Sequence, residues 1–151
     1  MSDKTPLQGE LLYEFTTTIT QVVEYGVSMQ TLTSGEGPPP AEGARVDVYS
    51  EGSITGAKLS GSLKLVDYVY FRADGRIELN IQGEITHEDG AKIALAATGV
   101  TFGEPPVLQL RHNVTLLTSH PEHSWVNTLQ IWATGTVDLS QGQVRVKGYA
   151  V

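Results

Sequence analysis

Hydrophobic and polar residues alternate along most of this chain, and the clearest alternation lies between residues 76 and 100. Ile77, Leu79, Ile81 and Ile85 interleave there with Glu78, Asn80, Gln82 and Glu84. Side chains two apart on a strand share a face, so the segment predicts a strand with one apolar and one polar face. In a second strand Ile93, Leu95 and Ala97 interleave with Ala94, Ala96 and Thr98. Glu88, Asp89 and Gly90 between them suit a three-residue hairpin loop with Gly90 in the left-handed conformation. One register makes both strands agree on their apolar face. It pairs His87 with Ala91, and hence Glu84 with Ala94, Gln82 with Ala96 and Asn80 with Thr98. A slip of one residue sets Glu84 beside Leu95 and destroys that agreement.

The same period runs through the rest of the chain. Strands are expected over 10–20, 21–33 (with a break at Gly26), 45–49, 67–71, 107–118, 125–136 and 143–149. Glycines at 52, 56 and 61 mark the bends that curl a sheet. Residues 34–43 (S-G-E-G-P-P-P-A-E-G) form the one long loop, a mobile connection or a lid over a barrel mouth. No stretch longer than one turn carries helical periodicity. About nine or ten strands joined by short turns imply a meander, which needs closure to remove its edges. The expectation is an all-β, closed antiparallel, lipocalin-like barrel with a central cavity. Residues 1–9 read as a disordered lead and 10–151 as a single barrel domain.

Composition narrows the function classes. A chain of 151 residues can bury a real core in one domain. The absence of cysteine excludes disulfides, thiolate metal sites and thiol catalysis, and suits a reducing compartment. A net charge of −7 without any basic run argues against nucleic acid and anionic membranes as partners. No apolar stretch reaches transmembrane length and the start has no hydrophobic signal segment, so the expected location is the cytoplasm.

Several ordered motifs resemble a bacterial family known as domain of unknown function 3237, or uncharacterised protein family 0311. L-L-Y-E-F at 11–15 opens the match, and G-S-I-T-G-A-K-L-S-G at 52–61 is similar to G-x-F-x-G-P-x-L-x-G. R-A-D-G-R-I-E-L-N at 72–80 is similar to R-P-D-G-x-x-E-L-D, and H-E-D-G-A at 87–91 to a D-D-G-A turn. P-E-H-S-W-V-N at 121–127 resembles P-x-Y-x-W-L-N, and the ending Y-A-V resembles Y-x-V. The resemblance implies a closed barrel of lipocalin-like form and brings no established activity. Typical members carry Y-V-R-N-R-G where this chain has A-L-A-A-T-G at 94–99, and Asp where it has Asn80. An acid and two arginines are therefore absent together, which avoids stranding one buried charge. If this hairpin face points inward, the cavity is larger and less cationic than in typical members.

Candidate chemistry follows from these patterns. The polar hairpin face, with Asn80, Gln82, Ala94, Ala96 and Thr98, is a candidate ligand-facing wall, in competition with a reading as plain solvent face. Asp67 and Glu84 are candidate acid/base carboxylates, since a desolvated carboxylate exchanges protons near neutral pH. Asp67 also matches an acid present in the family. Arg111 is the remaining cation for an oxyanion, while Trp125, Asn127, Trp132 and Tyr149 are candidates to wall an aromatic pocket. His87, His112, His120 and His123 show no spacing that aims them at one point, so no metal is expected. No nucleophile elbow or phosphate loop is present, so no cofactor is expected. Three functions remain open. One is a cofactor-free isomerase, lyase or cyclase acting on a small apolar or aromatic molecule; another is a non-catalytic carrier of such a molecule. The third is an interaction module forming a homodimer through the hairpin face or a strand edge.

Overall fold

A computed structural model describes residues 9–151. All but the last residue of the expected disordered lead therefore lies outside the described residues. Eight strands are present: β1 (Glu10–Glu24), β2 (Ala44–Thr55), β3 (Gly61–Phe71), β4 (Ile77–His87), β5 (Lys92–Phe102), β6 (Val107–Leu117), β7 (Ile131–Asp138) and β8 (Gln143–Ala150). Each pairs antiparallel with the next, and β8 returns to β1, which closes the barrel. A short helix, α1 (Met29–Thr33), joins β1 to β2, and a 3-10 helix (Pro121–Thr128) joins β6 to β7.

The strand count is eight, below the nine or ten expected, for local reasons. A register shift between Ile19 and Gln21 lets β1 bend against β2 without breaking. Beyond β1 the chain turns at Gly26 (φ 98) and enters α1, where the Ser28 hydroxyl caps the helix by accepting the Thr31 N–H at 3.1 Å. Residues 125–128, expected as strand, belong to the 3-10 helix, which begins at Pro121, and β7 starts only at Ile131. Pro fits that first turn because its missing N–H would have had no partner there.

The hairpin has the register expected from its pattern: Glu84 faces Ala94, Gln82 faces Ala96 and Asn80 faces Thr98. His87 N–H donates to the Ala91 carbonyl at 2.8 Å, and Gly90 takes φ 88. The apolar parity of every strand points inward. Tyr13, Ile54, Leu59, Leu63, Ile85, Ile93, Val126 and Ile131 are fully buried and fill the end of the barrel nearer the 3-10 helix. The Tyr13 ring occupies the space where a Cβ on Gly148 would stand. Packing is looser at the opposite end, where α1 sits.

Candidate functional site

The loosely packed end contains a cavity of about 90 Å³. Its wall is almost wholly hydrocarbon, from Phe15, Val48, Leu65, Phe71, Leu79 and Leu110 among others, and α1 covers it with Met29 and Thr33. None of residues 34–43 lines the cavity. Polar side chains reach this wall from four strands: Ser50 on β2, Asp67 on β3, Thr101 on β5 and His112 on β6. Thr101 is engaged, its hydroxyl donating to the Gln109 carbonyl at 2.7 Å.

Asp67 sits inside because it shares the parity of Leu63, Leu65, Val69 and Phe71. The paired register of β3 and β4 is interrupted between Asp67–Ile81 and Tyr70–Glu78. In that gap the Asp67 Oδ1 accepts the backbone N–H of Asn80 at 3.2 Å. One hydrogen bond offsets desolvation only in part. Burial pushes the Asp67 carboxyl from 3.8 up to about 7, against the lowering effect of the Asn80 N–H. Asp67 is half-buried and lines the cavity.

His112 reaches the same cavity from β6, in step with Leu108, Leu110, Val114 and Leu116. Burial pulls its imidazole from 6.5 down to about 4, so the ring is neutral at physiological pH. Its Nε2 is buried without a hydrogen-bond partner among the described residues. Sequence reasoning passed over His112 as a cavity residue, although its place in the leucine alternation was the signal. Ser50 carried the same signal, in step with Val46, Val48 and Ile54.

Every other candidate lies away from the cavity wall. Asn80, Gln82, Glu84, Ala94, Ala96 and Thr98 are on the outer surface of β4 and β5, because the parity that buries the isoleucines turns them outward. The larger-cavity expectation drawn from the missing arginines falls with them. Glu84 pairs with the Lys92 ammonium, which holds its carboxyl below the usual range, the wrong direction for a base at neutral pH. Arg111 points outward over the Phe102 ring at 5.2 Å and donates to the Leu110 carbonyl. Trp132 is 43% exposed and shares an outer groove with Asn80, Thr98 and Arg111. Tyr149 pairs with Trp132 on the same outer parity. Trp125 packs on the core in the 3-10 helix, beneath the Lys58 ammonium. The Asn127 side chain clips the chain at Thr118, accepting its N–H and donating to its carbonyl, each at 2.9 Å.

Two further expectations change. Among the described residues the sheet closes on itself, so every strand is paired on both sides. And two of the histidines do converge: the rings of His87 and His123 lie 4.4 Å apart, with Asp89 beside both. Sequence separation hid this, because the barrel brings the β4–β5 turn under the 3-10 helix. No described helix is long and apolar enough to cross a membrane.

Among the described residues, fold and cavity define a closed, eight-stranded antiparallel β-barrel whose largely apolar cavity is lined by the Asp67 carboxyl and the neutral His112 imidazole. The chain belongs to the family described as a protein of unknown function (DUF3237), whose model matches residues 17–151. Among solved structures it is similar to a conserved protein of unknown function from Rhodopseudomonas palustris, with TM-score 0.76 at 19% identity over 97% of this chain and 100% of that one. It is similar also to a beta-barrel like protein from Acinetobacter baumannii, with TM-score 0.73 at 20% identity over 99% of each chain. An enzyme from Penicillium herquei matches with TM-score 0.60 at 18% identity over 98% of this chain and 99% of that one. A search among curated proteins finds no match.

Proposed function

We propose that the barrel cavity holds a small, largely apolar organic molecule and that Asp67 moves a proton on it, in a cofactor-free isomerisation, lyase or cyclisation reaction. The carrying observation is the placement of Asp67, the one carboxylate among the residues that line a largely hydrocarbon cavity. A carboxyl near pH 7 is populated in both forms at neutrality, so it can take a proton and return it. His112 supplies the polar partner first sought in Arg111. A neutral imidazole with an unpartnered Nε2 can hydrogen-bond a substrate oxygen as negative charge develops there. The fold likeness to a protein described as an enzyme is consistent with this reading and says nothing of the reaction.

Volume limits the substrate. A cavity of about 150 Å³ takes benzene, so 90 Å³ takes a smaller molecule unless α1 moves. A larger aromatic substrate therefore requires Met29 and Thr33 to swing aside. Gly26 and Gly35, at φ 98 and 76, flank the segment that would move.

A panel of small apolar compounds, screened by thermal shift, identifies binders. Each binder is then incubated in D₂O with wild type and with Asp67→Asn, and deuterium uptake into the compound is read by mass spectrometry. Uptake with wild type and none with the variant supports proton transfer. Binding by both proteins without uptake leaves a carrier and removes the enzyme. Absence of any binder in the cavity removes both.

A further inference from the structure

At the other end of the barrel, away from the cavity, three donor atoms from the β4–β5 hairpin and the 3-10 helix converge. His87 closes β4, Asp89 lies in the turn to β5, and His123 projects from the 3-10 helix. The Asp89 carboxylate stands between the imidazoles, with Oδ2 at 2.6 Å from His123 Nε2 and Oδ1 at 3.3 Å from His87 Nδ1. One donor atom from each residue lies within 4.8 Å of the other two. We propose that His87, Asp89 and His123 bind a divalent transition-metal ion of the zinc type, which ties the 3-10 helix to the β4–β5 turn.

The donor set suits such an ion. Two imidazoles and one carboxylate are borderline ligands that favour zinc and its neighbours over magnesium or calcium. Metal–donor bonds of about 2.1 Å in a tetrahedron put donors about 3.4 Å apart. Asp89 Oδ1 already stands near that distance from His87 Nδ1, whereas His123 Nε2 contacts the other oxygen, Oδ2, so a small turn of the carboxylate has to seat its oxygens between the two rings. Asp89 can supply the change, because its side chain is 45% exposed while those of His87 and His123 are 15% and 9% exposed. The exposed side of the carboxylate leaves room for water as a fourth ligand.

An orienting outer contact is present as well. His87 Nε2 lies 3.2 Å from the Lys58 carbonyl, an acceptor that fixes the proton on Nε2 and leaves the Nδ1 lone pair facing Asp89. The Asp89 N–H points at that Nδ1 from 3.4 Å, a long contact that agrees with an unprotonated nitrogen and that a bound ion would displace. A carbonyl behind a ligating imidazole is the usual support of a metal-bound histidine. The elements themselves are held in place before any ion arrives. Asn127 clips the 3-10 helix to Thr118, the Thr118 hydroxyl donates to the Lys92 carbonyl at 2.8 Å, and Glu88 N–H donates to the Ser60 carbonyl at 2.9 Å.

Full-length protein without a polyhistidine tag is stripped with chelator and titrated with Zn²⁺ by calorimetry, and with Co²⁺ by visible absorption. The expected result is one ion per chain, with affinity falling about tenfold or more in each of His87→Gln, Asp89→Asn and His123→Gln. His120→Gln, whose ring is exposed and outside the cluster, leaves binding unchanged. Where a substitution at the buried His123 unfolds the chain, the Co²⁺ spectrum of wild type still separates a low-coordinate, nitrogen-bound ion from a hydrated surface ion. A hydrated-ion spectrum, no saturable binding, or equal binding in the three variants overturns the proposal and leaves Asp89 and His123 as a simple hydrogen-bonded pair.

Discussion

The Asp67 carboxylate accepts the backbone N–H of Asn80 at 3.2 Å, across a gap in the β3–β4 ladder. Asn80 therefore contributes its main chain to the candidate site while its side chain faces outward. The bond holds the carboxylate at the cavity wall and gives the ionised form its one partner among the described residues. Asparagine at position 67 keeps an acceptor for that N–H but carries no charge, which makes Asp67→Asn the informative substitution.

Asp67 gives a pH signature whose sign can be worked out. In the unfolded chain the carboxyl loses its proton near 3.8, and in the barrel near 7. Between those values the native state binds the extra proton, so stability falls as pH rises through the window. Above pH 7 the penalty is complete and amounts to at most about 4 kcal/mol. Asp67→Asn is expected to raise the denaturation midpoint at pH 8 and to change it little at pH 4, read by urea unfolding at both pH values.

His112 acts in the opposite direction. Its native value near 4 lies below the ordinary 6.5, so its contribution is present above 6.5 and lost as pH falls toward 4. His112→Leu removes a ring that resists protonation, along with a buried nitrogen that has no partner among the described residues. The variant is expected to unfold at lower pH than wild type by about 0.5–1 pH unit, measured by circular dichroism during acid titration. If His112 also holds a ligand oxygen, the same variant weakens ligand binding at pH 7.

The cavity offers room for added bulk. Val48→Leu adds one methylene against the cavity wall and is expected to stabilise the fold by about 0.5–1 kcal/mol in the ligand-free state. The same change should weaken binding of any cavity ligand, because both occupy one space. Stabilisation without loss of a binder already identified would place that binder elsewhere, for example in the outer groove.

Asn127 is a structural clip, and its removal leaves the Thr118 N–H and carbonyl unpaired. Asn127→Ala is expected to cost about 1–3 kcal/mol in chemical denaturation. Asn127→Asp should recover part of this, since a carboxylate accepts the N–H but cannot donate to the carbonyl. Equal stability of all three proteins would show that the loop finds other partners.

Glu84 and Arg111 mark the other extreme. Both are exposed on the outer face, so Glu84→Gln and Arg111→Met are each expected to shift stability by less than about 0.5 kcal/mol. Neither should alter deuterium uptake by a cavity ligand. A large loss of uptake in either variant would move the chemistry from the cavity to the barrel exterior.

The alternation of residues 77–100 is sufficient to define two strands, their turn and their register, because a slip of one residue would reverse every side chain. Closure was legible for a related reason, since a long meander has no other way to satisfy its edges. Asp67 was legible as a candidate acid from its carboxylate and the family resemblance, and its parity with Leu63, Leu65, Val69 and Phe71 is what turns it inward. His112 has the same parity as Leu108, Leu110, Val114 and Leu116, whereas the neighbouring Arg111 has the opposite parity and faces outward. The alanines at 94 and 96 misled in turn. Small side chains on a strand indicate lack of bulk, and they do not indicate which side of the sheet they are on.

What the sequence by itself determined is therefore local and periodic: the all-β class, the hairpin register, the meander order and the family. Those features depend on neighbours along the chain or across one turn, where covalent geometry restricts the options. Which parity turned inward, where the filling failed and left a cavity, and which distant residues met were decided only by the closed barrel. Asp67 and His112 line one cavity from β3 and β6, while Asp89 reaches His123 across 34 residues. No local rule encodes those meetings, because they depend on the curvature and closure of all eight strands together.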